Sequence, residues 1–280
     1  MHFSQNKIEE HIHHESYYFC NIIKNILSNQ TSFMRGLNDY YGDGRSFIFD
    51  DAFPKWSHFH GFIEFIIDGV YSESLNSYEL EERLTAFKAR GNFFNSNSND
   101  PVVSFDNLLK SYLLHLNKIN SSLYISTKDE LESFLVQFYD SHDFKEYKEK
   151  TIKEIFYVLF GNRLILKLYN EMIANVREGD WDSIHYSEGV TTKKGYLKRL
   201  TIPRWVQKAV YYRDKGRCVL CKKDLTGLIN IYNKSNYDHI VPLARFGIND
   251  ISNIQLLCEE CNQHKKAANN QSSNDYFPWY

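Results

Sequence analysis

No stretch of this chain comes near the ~18 uninterrupted apolar residues that a bilayer-spanning helix requires, so a membrane-embedded role is not expected. The opening residues, MHFSQNKIEEHIHHE, lack a basic segment followed by an apolar one. A secretory leader is therefore not expected either, and the default location is the cytoplasm. No internal repeat is apparent. The first 180 residues hold no recognisable catalytic pattern. Within them His11 and His14 stand one helical turn apart beside His13, but no carboxylate or cysteine pattern joins them, so a solvated helix face is expected. His58 and His60 point to different sides of a helix and are no better as a ligand pair.

What is present is ample apolar material. Hydrophobic residues make up 42% of the 280, with 20 Tyr and 20 Phe. That is enough for real cores in one large domain or two smaller ones. Up to about position 178 the pattern is helix after helix. Ile8, Ile12, Phe19, Ile22, Ile23 and Ile26 recur at helical spacing, and so do Phe59, Phe62, Ile63, Ile66 and Val70. Residues 77–90 and 105–119 give two more helices, separated by the polar loop NFFNSNSNDP. Thr127 and Glu130 form a capping box before LESFLVQFY. The stretch 144–178 is apolar on one face and breaks near Gly161–Asn162. These features predict an all-α domain over 1–178, a basic connector over 179–200, and a separate module over 201–280 that begins with a short helix from Pro203 to about Arg213.

The net charge of −2 conceals a split. From position 193 onward there are 15 basic and 7 acidic residues, a balance of +8, which leaves −10 for 1–192. Lys193, Lys194, Lys198, Arg199, Arg204, Lys208, Arg213, Lys215 and Arg217 follow one another with a single acid, Asp214, among them. Such a run favours a polyanionic partner, although a solvated surface has the same composition.

Of the five cysteines, Cys20 sits alone in an apolar helix and reads as a buried thiol. Cys218 and Cys221, then Cys258 and Cys261, form two C-x₂-C pairs. Without a leader these read as a tetrahedral structural zinc site rather than as disulfides. The 36 residues between the pairs must hold a folded element. GLINIY and YDHIVP read as two short strands joined around NKSN, and the second cysteine pair opens a helix. The fold class expected is α+β: an all-α N-terminal domain followed by a small zinc-stapled ββα unit.

The segment IPRWVQKAVYYRDKGRCVLC, then YDHIVPLARFG, an intermediate Asn and LLCEECNQHK, resembles the HNH endonuclease family, the zinc-stapled form of the ββα-metal fold. The resemblance covers roughly residues 200–268. It implies a metal-dependent hydrolysis of phosphodiester bonds to a 5′-phosphate and a 3′-hydroxyl. The residue chemistry agrees, since such a reaction needs a base for water and a cation for the developing charge. His239 is the candidate base, and Asp238 offers a hard oxygen to Mg²⁺ or Mn²⁺. The family usually has His straight after the last cysteine. Here Asn262 stands there, an H-N-N variant, and its amide oxygen is the second candidate ligand. His264, two positions on, lies roughly 200° around a helix from Asn262, so both cannot face one ion. It remains the alternative ligand. Asn253 matches the middle Asn, implied to hold the loop that carries the base. Lys265, near the face of Asn262, could touch a phosphate or simply be solvated.

Adjacent strand residues point to opposite faces, so the strand must end, bend or bulge at Asp238–His239 for both to serve one site. Pro242 fits an ending. The expected partner is DNA, double-stranded, cut one strand at a time by a single site. The setting implied by the family is restriction or anti-phage defence, with other proteins of such a system contacting the helical region, which would then be regulatory or partner-binding. Two alternatives stay open: a catalytically silent zinc module that binds nucleic acid or a partner, and a nuclease acting on RNA or hybrids.

Overall fold

The computed structural model describes residues 5–42, 44–73, 75–91, 104–180, 189–226, 236–265 and 269–276, without the side chains of 5–15, 77, 90–91 and 104–110. The HIHH imidazoles, the GLINIY stretch with residues 233–235 of its turn, and the loop 92–101 lie outside these. Ten α-helices and one two-stranded sheet are found among the described residues. No helix there is long and apolar enough to cross a membrane.

The helices follow the apolar spacing closely. They are α1 (Gln5–Ser28), α2 (Met34–Tyr41), α3 (His58–Glu73), α4 (Ser77–Gly91), α5 (Ser104–Lys118), α6 (Lys128–Asp140), α7 (His142–Phe160), α8 (Arg163–Gly179), α9 (Arg204–Arg213) and α10 (Glu259–Lys265). The capping box before α6 is complete: Thr127 Oγ1 accepts from Glu130 N, and Glu130 Oε2 accepts from Thr127 N. The break between α7 and α8 falls at Gly161–Asn162, where the Asn162 side chain caps α8 by accepting from Ile165 N. Helix α2 and the 3₁₀ turns around it had no counterpart in the sequence reading. They are short, and α2 buries Leu37 alone.

The chain forms two compact units, one of Met1–Phe19 with Glu64–Ile155, the other of Cys20–Ile63 with Phe156–Tyr280. These boundaries fall inside α1, α3 and α7. A division in chain order at 178 and 201 separates the helical region from the module by composition. The second compact unit groups 20–63 and 156–180 with the module.

The first unit has an apolar interior. Helices α4 and α5 pack on α6 around Leu80, Leu84, Phe87, Tyr112, Leu131 and Leu135. A nest of rings, Tyr71, Phe138, Tyr139 and Phe144, fills the rest, with centroids 5.0–5.7 Å apart.

The second unit is built around α8. Its apolar face meets Phe59 and Phe62 of α3 through Tyr169, and Ala174 packs with Val241, Phe246 and Tyr196. Its buried face is also polar. Arg163 pairs with Asp214 at 3.0 Å, Asn170 donates to Ser252 Oγ at 3.2 Å, and Arg177 pairs with Asp50 at 2.8 Å. Asp214, at the end of α9, accepts from Arg163 and Arg213 and from the backbone N–H of Leu256. One fully buried carboxylate thus fastens α8, α9 and the sheet together. The sheet pairs β1 (Tyr237–His239) antiparallel with β2 (Ile254–Leu256), Asp238 opposite Gln255 and His239 opposite Ile254. All six residues are buried. An entirely buried three-residue strand has no inside–outside alternation, which is why β2 left no period-2 signal.

Candidate active site and metal centre

The cysteines come together. The four Sγ atoms of Cys218, Cys221, Cys258 and Cys261 lie within 4.8 Å of one another. None is in a disulfide. The Cys221 and Cys258 sulfurs are 3.6 Å apart. That is far too long for an S–S bond and close to the ~3.8 Å edge of a zinc–thiolate tetrahedron with ~2.3 Å bonds. The first pair sits on a tight turn. Lys222 N donates to the Cys218 carbonyl and Cys218 N to the Lys223 carbonyl, with Lys222 in the left-handed region at φ 67°. Val219 N donates to Leu256 O, so the turn is stitched to β2. The second pair opens α10, where Cys261 N points at Cys258 Sγ from 3.4 Å. Soft sulfur donors at tetrahedral spacing fit a structural metal such as zinc.

The sheet then presents the acid and the imidazole. Strand β1 ends at His239, and Ile240 N donates to Asn253 O. The strand thus ends at the Asp238–His239 pair. Helix α10 returns across them: Lys265 Nζ lies 2.8 Å from Asp238 Oδ2 and donates to the His239 carbonyl at 2.7 Å. Asp238 Oδ2 makes no hydrogen bond of good geometry, so its contact with Lys265 is an ion pair. A buried carboxylate oxygen is a hard donor of the kind that suits a divalent cation such as Mg²⁺ or Mn²⁺. Asn262, the other candidate donor, is half-buried on α10, and His264, two positions on, is exposed. The ammonium of Lys265 is the cation now beside Asp238.

His239 is 2% exposed. Burial pushes its imidazole down to about 4. The neighbouring Asp238 pulls the other way, Arg199 adds to the lowering, the Asn249 hydrogen bond opposes it, and Lys265 lowers it further. The ring is therefore neutral at physiological pH and able to accept a proton. Its Nε2 lies 3.2 Å from Asn249 Oδ1. Asn253 is fully buried and spans the loop after β1. Its Oδ1 accepts from Val241 N, and its Nδ2 donates to the carbonyls of Val241 and Ile248.

The basic candidates divide. Lys193, Lys194, Lys198, Arg199, Arg204, Lys208 and Lys215 are exposed. Arg217 is half-buried and paired with Asp224 at 3.1 Å. Arg213 is buried, held by Asp214 and the Ile254 carbonyl and lying over the Phe160 ring. Lys265 is 1% exposed, its charge facing Asp238. In this structure neither lies on the surface with the other seven. The sequence reading passed over Asn249 and Asp250. Asp250 caps α3 through His58 N and also accepts from Ser252 N. The available signal was an Asn–Asp pair inside the otherwise apolar stretch FGINDI.

A two-strand-and-helix module with a four-cysteine cluster fit for a metal, and a buried acid and histidine at the strand end, is the class of site defined here. Residues 218–268 match the family model described as HNH endonuclease. No curated protein and no solved structure matches the chain. The family match supports a nuclease-type function, with metal binding and a nucleic acid substrate.

Proposed function

We propose that this protein is a metal-dependent DNA endonuclease that nicks duplex DNA, an effector in a restriction or anti-phage system. The observation that carries the proposal is His239, buried and neutral beside Asp238, within the residues that match the HNH family. His239 takes a proton from the attacking water as its oxygen bonds to phosphorus. The bond from phosphorus to the 3′ oxygen breaks, leaving a 5′-phosphate and, after protonation by solvent, a 3′-hydroxyl. A divalent ion held by Asp238 and Asn262 would offset the charge building on the phosphate and the leaving oxygen. Asn253 anchors the loop behind the base through its three backbone hydrogen bonds. Exposed Lys193, Lys194, Lys198, Arg199, Arg204, Lys208 and Lys215 supply the charge for the phosphate backbone. The helical region 1–178 is regulatory or partner-binding in this reading.

The test is cleavage of supercoiled plasmid with Mg²⁺ or Mn²⁺, run beside single-stranded RNA and an RNA–DNA hybrid. Nicking is expected, and His239→Ala should abolish it while DNA binding stays within a few-fold. Binding without cleavage of any substrate would favour the silent module, and cleavage of RNA or hybrid alone would move the substrate. If Asn262→Ala cuts normally and His264→Ala does not, the ligand on α10 is His264.

A further inference from the structure

Asn249 connects three parts of the second unit. Its side-chain amide lies between His239 Nε2, 3.2 Å from Oδ1, and the Lys198 carbonyl, 3.0 Å from Nδ2. Its own carbonyl accepts from Phe53 N at 2.7 Å. The next residue, Asp250, accepts from His58 N at 2.9 Å. Asn249 is 2% exposed, so these partners are not exchanged for water.

The orientation of an asparagine amide is set by its neighbours, and here one neighbour decides it. The Lys198 carbonyl can only accept, so the NH₂ of Asn249 must face it. That turns Oδ1, which can only accept, toward the imidazole. His239 Nε2 must then carry a hydrogen. A neutral imidazole has one N–H and one lone pair, so the lone pair lies on Nδ1. We infer that Asn249 sets the tautomer of His239 and thereby selects Nδ1 as the nitrogen that receives the proton of the attacking water. This rests on His239 being the general base of the proposed nuclease. Asn249 is a positioning residue: it touches the base and neither substrate nor metal. In the reaction Nδ1 gains the proton that water loses, and Asn249 Oδ1 keeps its bond to the Nε2–H of the resulting imidazolium.

The control comes from outside the family match. Lys198 and Phe53, which hold the amide and the backbone of Asn249, both lie beyond residues 218–268. Asn249 lies within the matched residues, but the carbonyl that turns its amide and the N–H that holds its backbone come from outside them.

The experiment is a long-range ¹H–¹⁵N spectrum of His239 in the full-length zinc-loaded protein, read beside kcat and KM on a short duplex. The wild-type protein should show the Nε2–H form. Asn249→Leu, of similar size but without hydrogen bonds, should show mixed or inverted tautomers. Its kcat should fall roughly 10–100-fold, as losses of residues that orient a functional histidine do, at unchanged KM and zinc content. Asn249→Asp keeps the acceptor, and should keep the Nε2–H form and recover kcat relative to the Leu variant. An Nδ1–H form in the wild-type protein overturns the inference, even if the Leu variant fails to fold. So does an Asn249→Leu protein that keeps both tautomer and kcat. The spectrum is taken without substrate. A protein that shows the Nε2–H form yet cuts nothing would refute the nuclease reading and leave the tautomer assignment standing.

Discussion

The two compact units bury different chemistry. Among the described residues, the buried polar side chains of the first unit are hydroxyls only: Ser16, Ser111, Ser126 and Thr151. Every buried charged side chain among the described residues belongs to the second, namely Arg163, Arg177, Arg213, Asp214, Asp238, Asp250 and Lys265. Apolar packing tolerates many arrangements of similar volume. A buried charge tolerates few, because each ion must keep its partner or meet a large desolvation cost. A helical body can be made the first way. A module that must hold four thiols within 4.8 Å of one another and bury an acid beside a histidine needs the second. Asp214 illustrates the difference, since one carboxylate satisfies two guanidiniums and a strand N–H and so fixes α8, α9 and β2 in one arrangement.

The metal centre offers the largest break in that comparison. Structural zinc contributes on the order of 10 kcal/mol of folding free energy at such sites. Cys218→Ser or Cys261→Ser should unfold the module around β1, β2 and α10 while α4, α5 and α6 keep their helicity. Elemental analysis of freshly purified protein with no zinc in it would remove the premise.

Next in size are matched truncations in the two interiors. Asp214→Ala strands two buried guanidiniums and should cost about 3–5 kcal/mol. Leu135→Ala in the first unit should cost a comparable ~2–5 kcal/mol. The consequences should differ: nuclease activity lost with Asp214→Ala, retained with Leu135→Ala at temperatures where both proteins remain folded. Chemical denaturation and the plasmid assay read the two effects separately. Equal activity in both variants would mean that the buried ion network does not hold the site.

A smaller effect is expected at Lys265. Lys265→Met leaves Asp238 buried without its cation and should cost about 3 kcal/mol. Mg²⁺ should return part of that loss, because an ion that binds only the folded protein raises its stability. Thermal unfolding with and without Mg²⁺ measures it. A variant melting temperature that Mg²⁺ does not raise would argue against Asp238 as a metal ligand.

Much of this could be read along the chain. The helices from α3 to α8 follow from apolar spacing, the α6 start from Thr127 and Glu130, and the α7–α8 break from Gly161–Asn162, because these signals are local. The cysteine pairs and the Asp238–His239 pair were legible for the same reason: their chemistry is set by residue type and spacing. Arg213 and Lys265 were not. Each is a basic residue in a basic region, and its burial depends on a partner far along the chain that the fold brings into contact, the Ile254 carbonyl for Arg213 and the Asp238 carboxylate for Lys265.

By itself, then, the sequence determined the helical succession and singled out the four cysteines and the Asp238–His239 pair as the candidates. The tertiary structure decided which strand pairs with Tyr237–His239, which basic side chains turn inside, and that Asn249 stands against Nε2 of His239. The physical reason is range. Helix propensity, capping and ligand chemistry act over a few residues. A buried charge or amide is settled by whichever donor or acceptor the fold brings within about 3 Å, and for Asn249 those are Lys198, His239 and Phe53.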